Sequence, residues 1–205
     1  MHLLSCPPLG VLILVLSVLQ AVIMFFSPGS FRLQKPQGGA VSWVYNVLNL
    51  VILVIVTPLL GILLLKEVTE PISVISVNLG DGWRVRVVES VGLVLYCGGN
   101  LILYACRLAL SRSFRLGAVA PRSEDRLVTT GLYRYVRHPM YSAVLAMALG
   151  LALLVQSLLL FGLFAGLAFS IVAMLPVEDA QLERAYRGEY TRYKERVKAL
   201  VPFVF

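Results

Sequence analysis

Charge is what this chain most lacks. Only 14% of its 205 residues are charged, 59% are hydrophobic, and the mean hydropathy is +0.84. A soluble domain carries about 25% charged residues. A water-soluble fold is therefore excluded, and an integral membrane protein forming one unit over residues 1–205 is expected. Cysteine is nearly absent too: Cys6, Cys97 and Cys106 offer no C-x-x-C spacing and no disulfide framework, and read as small apolar packing residues. The chain has no H-E-x-x-H, no Ser/His/Asp nucleophile pattern and no P-loop. Its Gly98-Gly99 pair lies inside an apolar run, where a dinucleotide fingerprint has no place. Repeats and low-complexity stretches are likewise missing.

What remains is a series of apolar runs. Leu9–Phe26 is about long enough to span, lacks a basic leader or small-residue cleavage site, and reads as a first transmembrane helix rather than a signal peptide. Ser27-Pro-Gly-Ser30 ends it, ahead of Arg32 and Lys35. Val41–Leu65 is the second, with Pro58 predicting a kink and Trp43 and Tyr45 an interfacial aromatic belt. A mixed loop with a Gly80-Asp-Gly82 turn follows. Val87–Leu110 is the third. Its Glu89 and Arg107 are expected to snorkel to the interfaces, and its Asn100 to bond a neighbouring helix. A basic loop over 111–139 includes an extended Gly117–Pro121 stretch, a short ordered segment at Leu127–Thr130 and a turn at Gly131. Met140–Pro176 holds no charge and fits a helical hairpin with its tip at Gln156-Ser157. Gly162 and Gly166 form a G-x-x-x-G face where another backbone could approach. In the tail, Leu182, Tyr186, Tyr190, Tyr193 and Val197 recur at helical spacing, which predicts an amphipathic helix to about Lys198, on the membrane surface or against the basic loop. The fold class is thus all-α, with about five transmembrane helices, a C-terminal helical hairpin and a cytoplasmic tail helix. Residues 1–110 supply three helices, and 111–205 the loop, hairpin and tail.

Fifteen of the eighteen basic residues fall in the first loop, the basic loop with Arg107, and the tail. The positive-inside rule then places the N-terminus outside and the basic loop and tail in the cytoplasm. The same distribution accounts for most of the +7 net charge without a nucleic-acid partner.

Two polar clusters flank the hairpin. Arg134, Arg137, His138 and Tyr141 precede it, and Glu178 and Asp179 follow it. A hairpin returns both ends to one membrane face, so the clusters should meet and line a cytoplasmic pocket with apolar walls. Each residue also has a plainer reading. The arginines serve the positive-inside rule, His138 precedes a proline in its normal place at the first helical position, and the two acids can pair with tail arginines. From the residues alone, the chain is a membrane enzyme or binder with a polar pocket.

The ordered motif Leu127-Val-Thr-Thr-Gly-Leu-Tyr-Arg-Tyr-Val-Arg-His-Pro-Met-Tyr141, then a hairpin, then Glu178-Asp-Ala-Gln-Leu182, Tyr190, Tyr193, Arg196-Val197 and Pro202 resembles the isoprenylcysteine carboxyl methyltransferase and phospholipid methyltransferase superfamily. The resemblance covers residues 111–202. It implies S-adenosylmethionine as methyl donor, held by Arg126, Leu127, Val128, Tyr133, His138, Pro139, Met140, Tyr141 and Glu178. Glu178 and Arg137 are the implied catalytic residues, and a lipophilic substrate would enter from the bilayer among membrane lipids. The chain departs from the family pattern at Ala143 (glycine there), Asp179 (glutamate), Tyr186-Arg187 (Phe-Gly, with Gly188 one place late) and Met174. That last position is an arginine implied to hold a substrate carboxylate. Met174 opens the acceptor to a lipid amine, a thiol or another lipophilic nucleophile. Two other readings stand beside this one: an NADPH-dependent membrane reductase with a related R-H-P-x-Y motif, and a non-catalytic membrane binding protein.

Overall fold

The computed structural model describes residues 7–25, 39–67, 82–110 and 125–202. The expected break at Ser27–Ser30, the extended 117–121 stretch and Cys6 lie outside the described residues; of the Gly80–Gly82 turn only Gly82 is described, at φ +126°. Among the described residues six helices follow in order: α1 (Pro7–Phe25), α2 (Gly39–Leu65), α3 (Trp83–Leu110), α4 (Pro139–Val155), α5 (Leu158–Tyr186) and α6 (Gly188–Arg196). The first five each contain a long apolar run, and in hydrocarbon such a run must satisfy its backbone internally, which a helix does. Three of them, α2, α3 and α5, are long and apolar enough to cross a membrane, while α1 and α4 are apolar but shorter. The chain is an all-helical integral membrane protein, as its composition requires.

Pro58 leaves its mark one turn ahead of itself. Val51–Val56 is π-helical, and both the amide and the hydroxyl of Thr57 donate to the Ile52 carbonyl, the hydroxyl at 2.7 Å. The widened turn is the form the expected kink takes. It also splits the helix between two partners. Tyr45 and Ile52 join a cluster with α4 and α5, whereas Leu60 and Leu64 pack with Leu9 and Ile13 of α1.

The α3–α4 crossing is very close, and glycines make it possible. A Cβ on Gly92 would sit 2.7 Å from the Gly150 carbonyl oxygen, one on Gly99 2.7 Å from that of Ala143, and one on Gly150 2.6 Å from the Tyr96 amide. A similar approach joins α1 to α2, where a Cβ on Gly10 would meet the Leu65 amide at 2.5 Å. Gly162 and Gly166 do not play this part: Gly162 has nothing within 4 Å and Gly166 only a Leu48 methyl at 3.7 Å. Their four-residue spacing is sound, but among the described residues no backbone lies within 4 Å of a Cβ placed at either.

The buried face of α3 carries Val85, Glu89, Gly92, Tyr96, Gly99, Asn100, Cys106 and Arg107, a stripe at helical spacing. Glu89 and Arg107 are therefore turned into the protein rather than snorkelling outward, Glu89 with no exposed surface at all. Asn100 bonds within its own helix, donating to the Tyr96 carbonyl and accepting from the Tyr104 hydroxyl. The link to a second helix comes from Tyr104, whose hydroxyl also reaches the Leu16 carbonyl at 3.2 Å.

The hairpin turns where expected, with Gln156 in the left-handed region at φ +55° and Ser157 extended. It does not stop at Pro176. The helix runs through that proline to Tyr186, so Glu178 and Asp179 sit on a rigid continuation of α5. The chain then breaks at Arg187, and the short α6 folds back, followed by an extended segment. The tail is thus no single surface helix. Its second half packs against the Gly131–His138 turn, which was one of the two expected placements.

Candidate active site

The site begins with a proline. Pro139 is the first residue of α4, where its missing amide costs nothing. It holds His138, the residue directly ahead, out of the helical region (φ −121°, ψ 59°), and before that lies a 3-10 turn over Gly131–Arg134, opened by Gly131 at φ +62°. The turn leaves the amides of Arg137 and His138 free. The tail satisfies them: Arg137 N–H donates to the Lys198 carbonyl at 2.8 Å and His138 N–H to that of Ala199 at 2.9 Å, a short parallel pairing of Val136 with Lys198. The Ser142 hydroxyl adds a bond to the Leu200 carbonyl at 2.6 Å.

The expected meeting of the two polar clusters takes place. Asp179 is its hub. Its Oδ1 accepts from the Tyr190 hydroxyl and lies 3.0 Å from His138 Nε2; its Oδ2 lies 3.1 Å from Arg137 Nη2 and 3.2 Å from Lys194 Nζ. A carboxylate only accepts, so Nε2 carries the imidazole proton in this pairing. Arg137 is further fixed by donating from Nη1 to the Val197 carbonyl at 2.7 Å and the Lys194 carbonyl at 3.1 Å. The Arg137 and Asp179 side chains are about nine-tenths buried, so removing Asp179 would leave a buried guanidinium without its counter-ion, at a cost of roughly 3–5 kcal/mol.

Glu178 faces the other way. It accepts from the Tyr141 hydroxyl at 2.5 Å and lies 3.8 Å from His138 Nδ1, with a quarter of its side chain exposed. Tyr141 stacks on the His138 ring at 5.6 Å and meets Tyr45 of α2 edge-on at 5.4 Å. Behind these rings stand Ile171, Met174, Leu175, Ala199 and Leu200, all buried. The result is a carboxylate and aromatic faces backed by apolar side chains. Tyr133, buried beneath the turn, offers its carbonyl to the Tyr193 hydroxyl. Burial raises the Tyr193 phenol to about 12 and pushes those of Tyr133 and Tyr190 higher, so all three stay protonated donors at neutral pH.

Of the residues singled out in the sequence, Tyr133, Arg137, His138, Pro139, Tyr141 and Glu178 come together here. Met140 is half-buried beside them. Arg126 is exposed, and Leu127 and Val128 are half-buried on the extended stretch that leads into the turn. Asp179 was expected in the pocket as half of the acidic pair, but three further participants carry no site assignment from the sequence. Tyr190, though a motif residue, and Lys194 read there only as parts of the tail helix. Their helical spacing from Asp179 is broken at Arg187, so no periodicity predicts the contact. Tyr45 gave no signal beyond its place near a helix end.

The residues present fit an S-adenosylmethionine-like group on the chemistry of the donor set. An anion and aromatic faces suit a sulfonium. The Arg137 Nε–H is buried and has no hydrogen-bond partner among the described residues, a donor that a ligand carboxylate would satisfy.

Comparison with known proteins places the chain in a family. The family model for phospholipid methyltransferase matches residues 87–189, which takes in α3, the motif, the hairpin and the acidic pair. The chain is 27% identical over 124 residues to protein-S-isoprenylcysteine O-methyltransferase B of Arabidopsis thaliana, covering 57% of this chain and 60% of that protein. It is 30% identical over 122 residues to protein-S-isoprenylcysteine O-methyltransferase of Schizosaccharomyces pombe, covering 58% of this chain and 51% of that one. The match thus spans between half and three-fifths of these two relatives. Among solved structures, the eukaryotic intramembrane Ras methyltransferase ICMT shares the fold, with a TM-score of 0.52 at 16% identity over 94% of this chain and 73% of that one. Since the family model spans half of the sequence, the chain belongs to the phospholipid methyltransferase family.

Proposed function

We propose that this protein transfers a methyl group from S-adenosylmethionine to a lipophilic acceptor at the cytoplasmic face of a membrane. The observation that carries the reading is the convergence of the Arg137–Tyr141 strip with Glu178 and Asp179 at one end of an apolar hairpin. Family membership and the names of the relatives support the activity. They give no support to the NADPH reductase or to a non-catalytic role. The cytoplasmic placement rests on the clustering of basic residues around this end of the fold.

The donor supplies a methyl on a cationic sulfur. The protein's part is to bind, align and keep out water. Glu178 provides the anion for the sulfonium, and the Tyr141 hydroxyl fixes its orientation. The Arg137 Nε–H and the backbone from Arg126 to Tyr133 would hold the polar remainder of the donor. Arg137 sits one layer behind the reacting groups, through Asp179 and the tail carbonyls, so we assign it positioning as well as binding. Tyr45, Ile171 and Met174 give the acceptor an apolar wall contiguous with the lipid-facing helices.

Isothermal titration of the detergent-purified protein tests this. S-adenosylmethionine should bind and NADPH should not. Glu178→Gln and Tyr141→Phe should each weaken donor binding about tenfold, the scale of a charge-assisted contact. Unchanged affinity in both variants would defeat the site assignment, and binding of neither compound would defeat the enzyme.

A further inference from the structure

We propose that the seam between α1 and α3 binds the hydroxyl of a second lipophile, a membrane-dissolved long-chain alcohol, apart from the methyl-transfer site. Tyr96 of α3 packs with Ile13 of α1 in a different apolar cluster from the one that holds Tyr141. Ser17 and Gln20 share one face of α1, three residues apart, and Tyr96, Asn100 and Tyr104 share one face of α3, four apart. All but Tyr104 are at least nine-tenths buried.

Several of these groups bond to helix carbonyls, as polar side chains in apolar helices do. The Ser17 hydroxyl donates to the Ile13 carbonyl at 2.7 Å, and the Asn100 amide to the Tyr96 carbonyl at 2.9 Å. The Tyr104 hydroxyl crosses to α1 and reaches the Leu16 carbonyl at 3.2 Å. Three atoms stand out against this pattern. The Tyr96 hydroxyl and both ends of the Gln20 amide, Nε2 and Oε1, are buried and have no hydrogen-bond partner among the described residues. Such groups call for a ligand or an ordered water. They also lie near one another. Tyr96 stands beside Ser17. A helical side chain leans toward the N-terminus of its helix, so Gln20 leans back toward the level of Ser17, about 4.5 Å of rise away.

The valences select the ligand. Gln20 Oε1 accepts, while Gln20 Nε2 and the Tyr96 hydroxyl donate. A hydroxyl has one hydrogen to give and two lone pairs to receive, which matches one acceptor and two donors. A ketone, ester or quinone oxygen would answer the donors and leave Oε1 alone. A charged head group has no place here. α1 carries no charged residue, and α3 carries none between Glu89 and Arg107, so neither wall supplies a counter-charge at this depth. The alcohol's chain would run in lipid along half-buried Leu16 and the exposed Leu12 and Leu19 beside it.

The test uses purified full-length protein in detergent micelles and two fifteen-carbon probes, a primary alcohol and its methyl ether, each with a photoreactive diazirine near the oxygen. The alcohol should label residues 16–20 and 96–104 saturably and raise the thermal midpoint of the protein. The ether has no proton for Gln20 Oε1 and should bind about tenfold more weakly, the scale of one buried hydrogen bond lost with its partner left unpaired. Gln20→Leu and Tyr96→Phe should each weaken the alcohol by a similar factor. Gln20→Leu should also raise the midpoint without ligand, because an apolar side chain replaces an unpaired polar one. A misfolded variant cannot give that gain. The same variant should bind S-adenosylmethionine as the parent does, so failure of the alcohol site and failure of the methyl-transfer reading are read separately. Equal affinity for alcohol and ether overturns the inference. So does labelling confined to other helices, or no saturable labelling at all, the result for a seam filled by water only.

Discussion

Arg187 adopts φ +46° and ψ −134°, a conformation that only glycine reaches without strain. The family pattern places glycine at this position, whereas here it comes one residue later, at Gly188, which is not at positive φ. The break between α5 and α6 is therefore preserved against the preference of the residue that makes it, because Tyr190 and Lys194 must fold back onto Asp179. Arg187→Gly should stabilise the protein by about 1 kcal/mol, seen as a rise in thermal midpoint of roughly 2–4 °C. Tyr193 allows a pH prediction. Its folded pKa of about 12 lies above the free value of about 10. The energy with which it docks the tail is thus fully present below about pH 10 and lost as pH rises toward 12. Proteolytic release of the tail should increase over that interval, and Tyr193→Phe should flatten the increase.

Among the elements, the α3–α4 crossing and the face of α5 make a controlled pair. Gly150→Ala would drive a methyl into the α3 backbone and should cost about 1–3 kcal/mol. Gly162→Ala meets nothing and should be neutral or gain up to about 1 kcal/mol from helix propensity. Thermal melts of the two variants would separate them. The same pair shows what could be read from the sequence. The helices were legible because hydrocarbon leaves an apolar run no alternative. The hairpin was legible because Gln156-Ser157 is its one polar interruption, and its return forces Arg137 and His138 onto Glu178 and Asp179. Which glycines touch a neighbour was not legible: spacing along Gly162 and Gly166 says nothing of what lies opposite, and the functional contacts join Gly92 and Gly99 to residues some fifty positions away. Tyr45 joined the site for the same reason, through the pairing of α2 with α5, which no local pattern encodes.

At the scale of the whole molecule, charge and fold divide the protein into two ends. The 131–141 turn, the acidic pair and α6 share one end, and the Gln156-Ser157 tip lies at the other. With the native cysteines replaced, a single cysteine at exposed Lys194 should react with an impermeant maleimide from the cytoplasmic side. One at exposed Leu158 should react only from the opposite side. Equal labelling from one side would reverse the proposed topology.

The pairing of Arg137 and His138 with Lys198 and Ala199 has a bearing on how the protein is made. Some sixty residues separate the two partners, and the whole hairpin lies between them. The tail reaches the motif only after both arms have entered the bilayer and turned. Until then two amides at the motif and the carbonyls of the tail stand open to solvent and to proteases. Closure of the tail is thus a record of correct insertion, written in backbone hydrogen bonds at the site where the chemistry is proposed to occur.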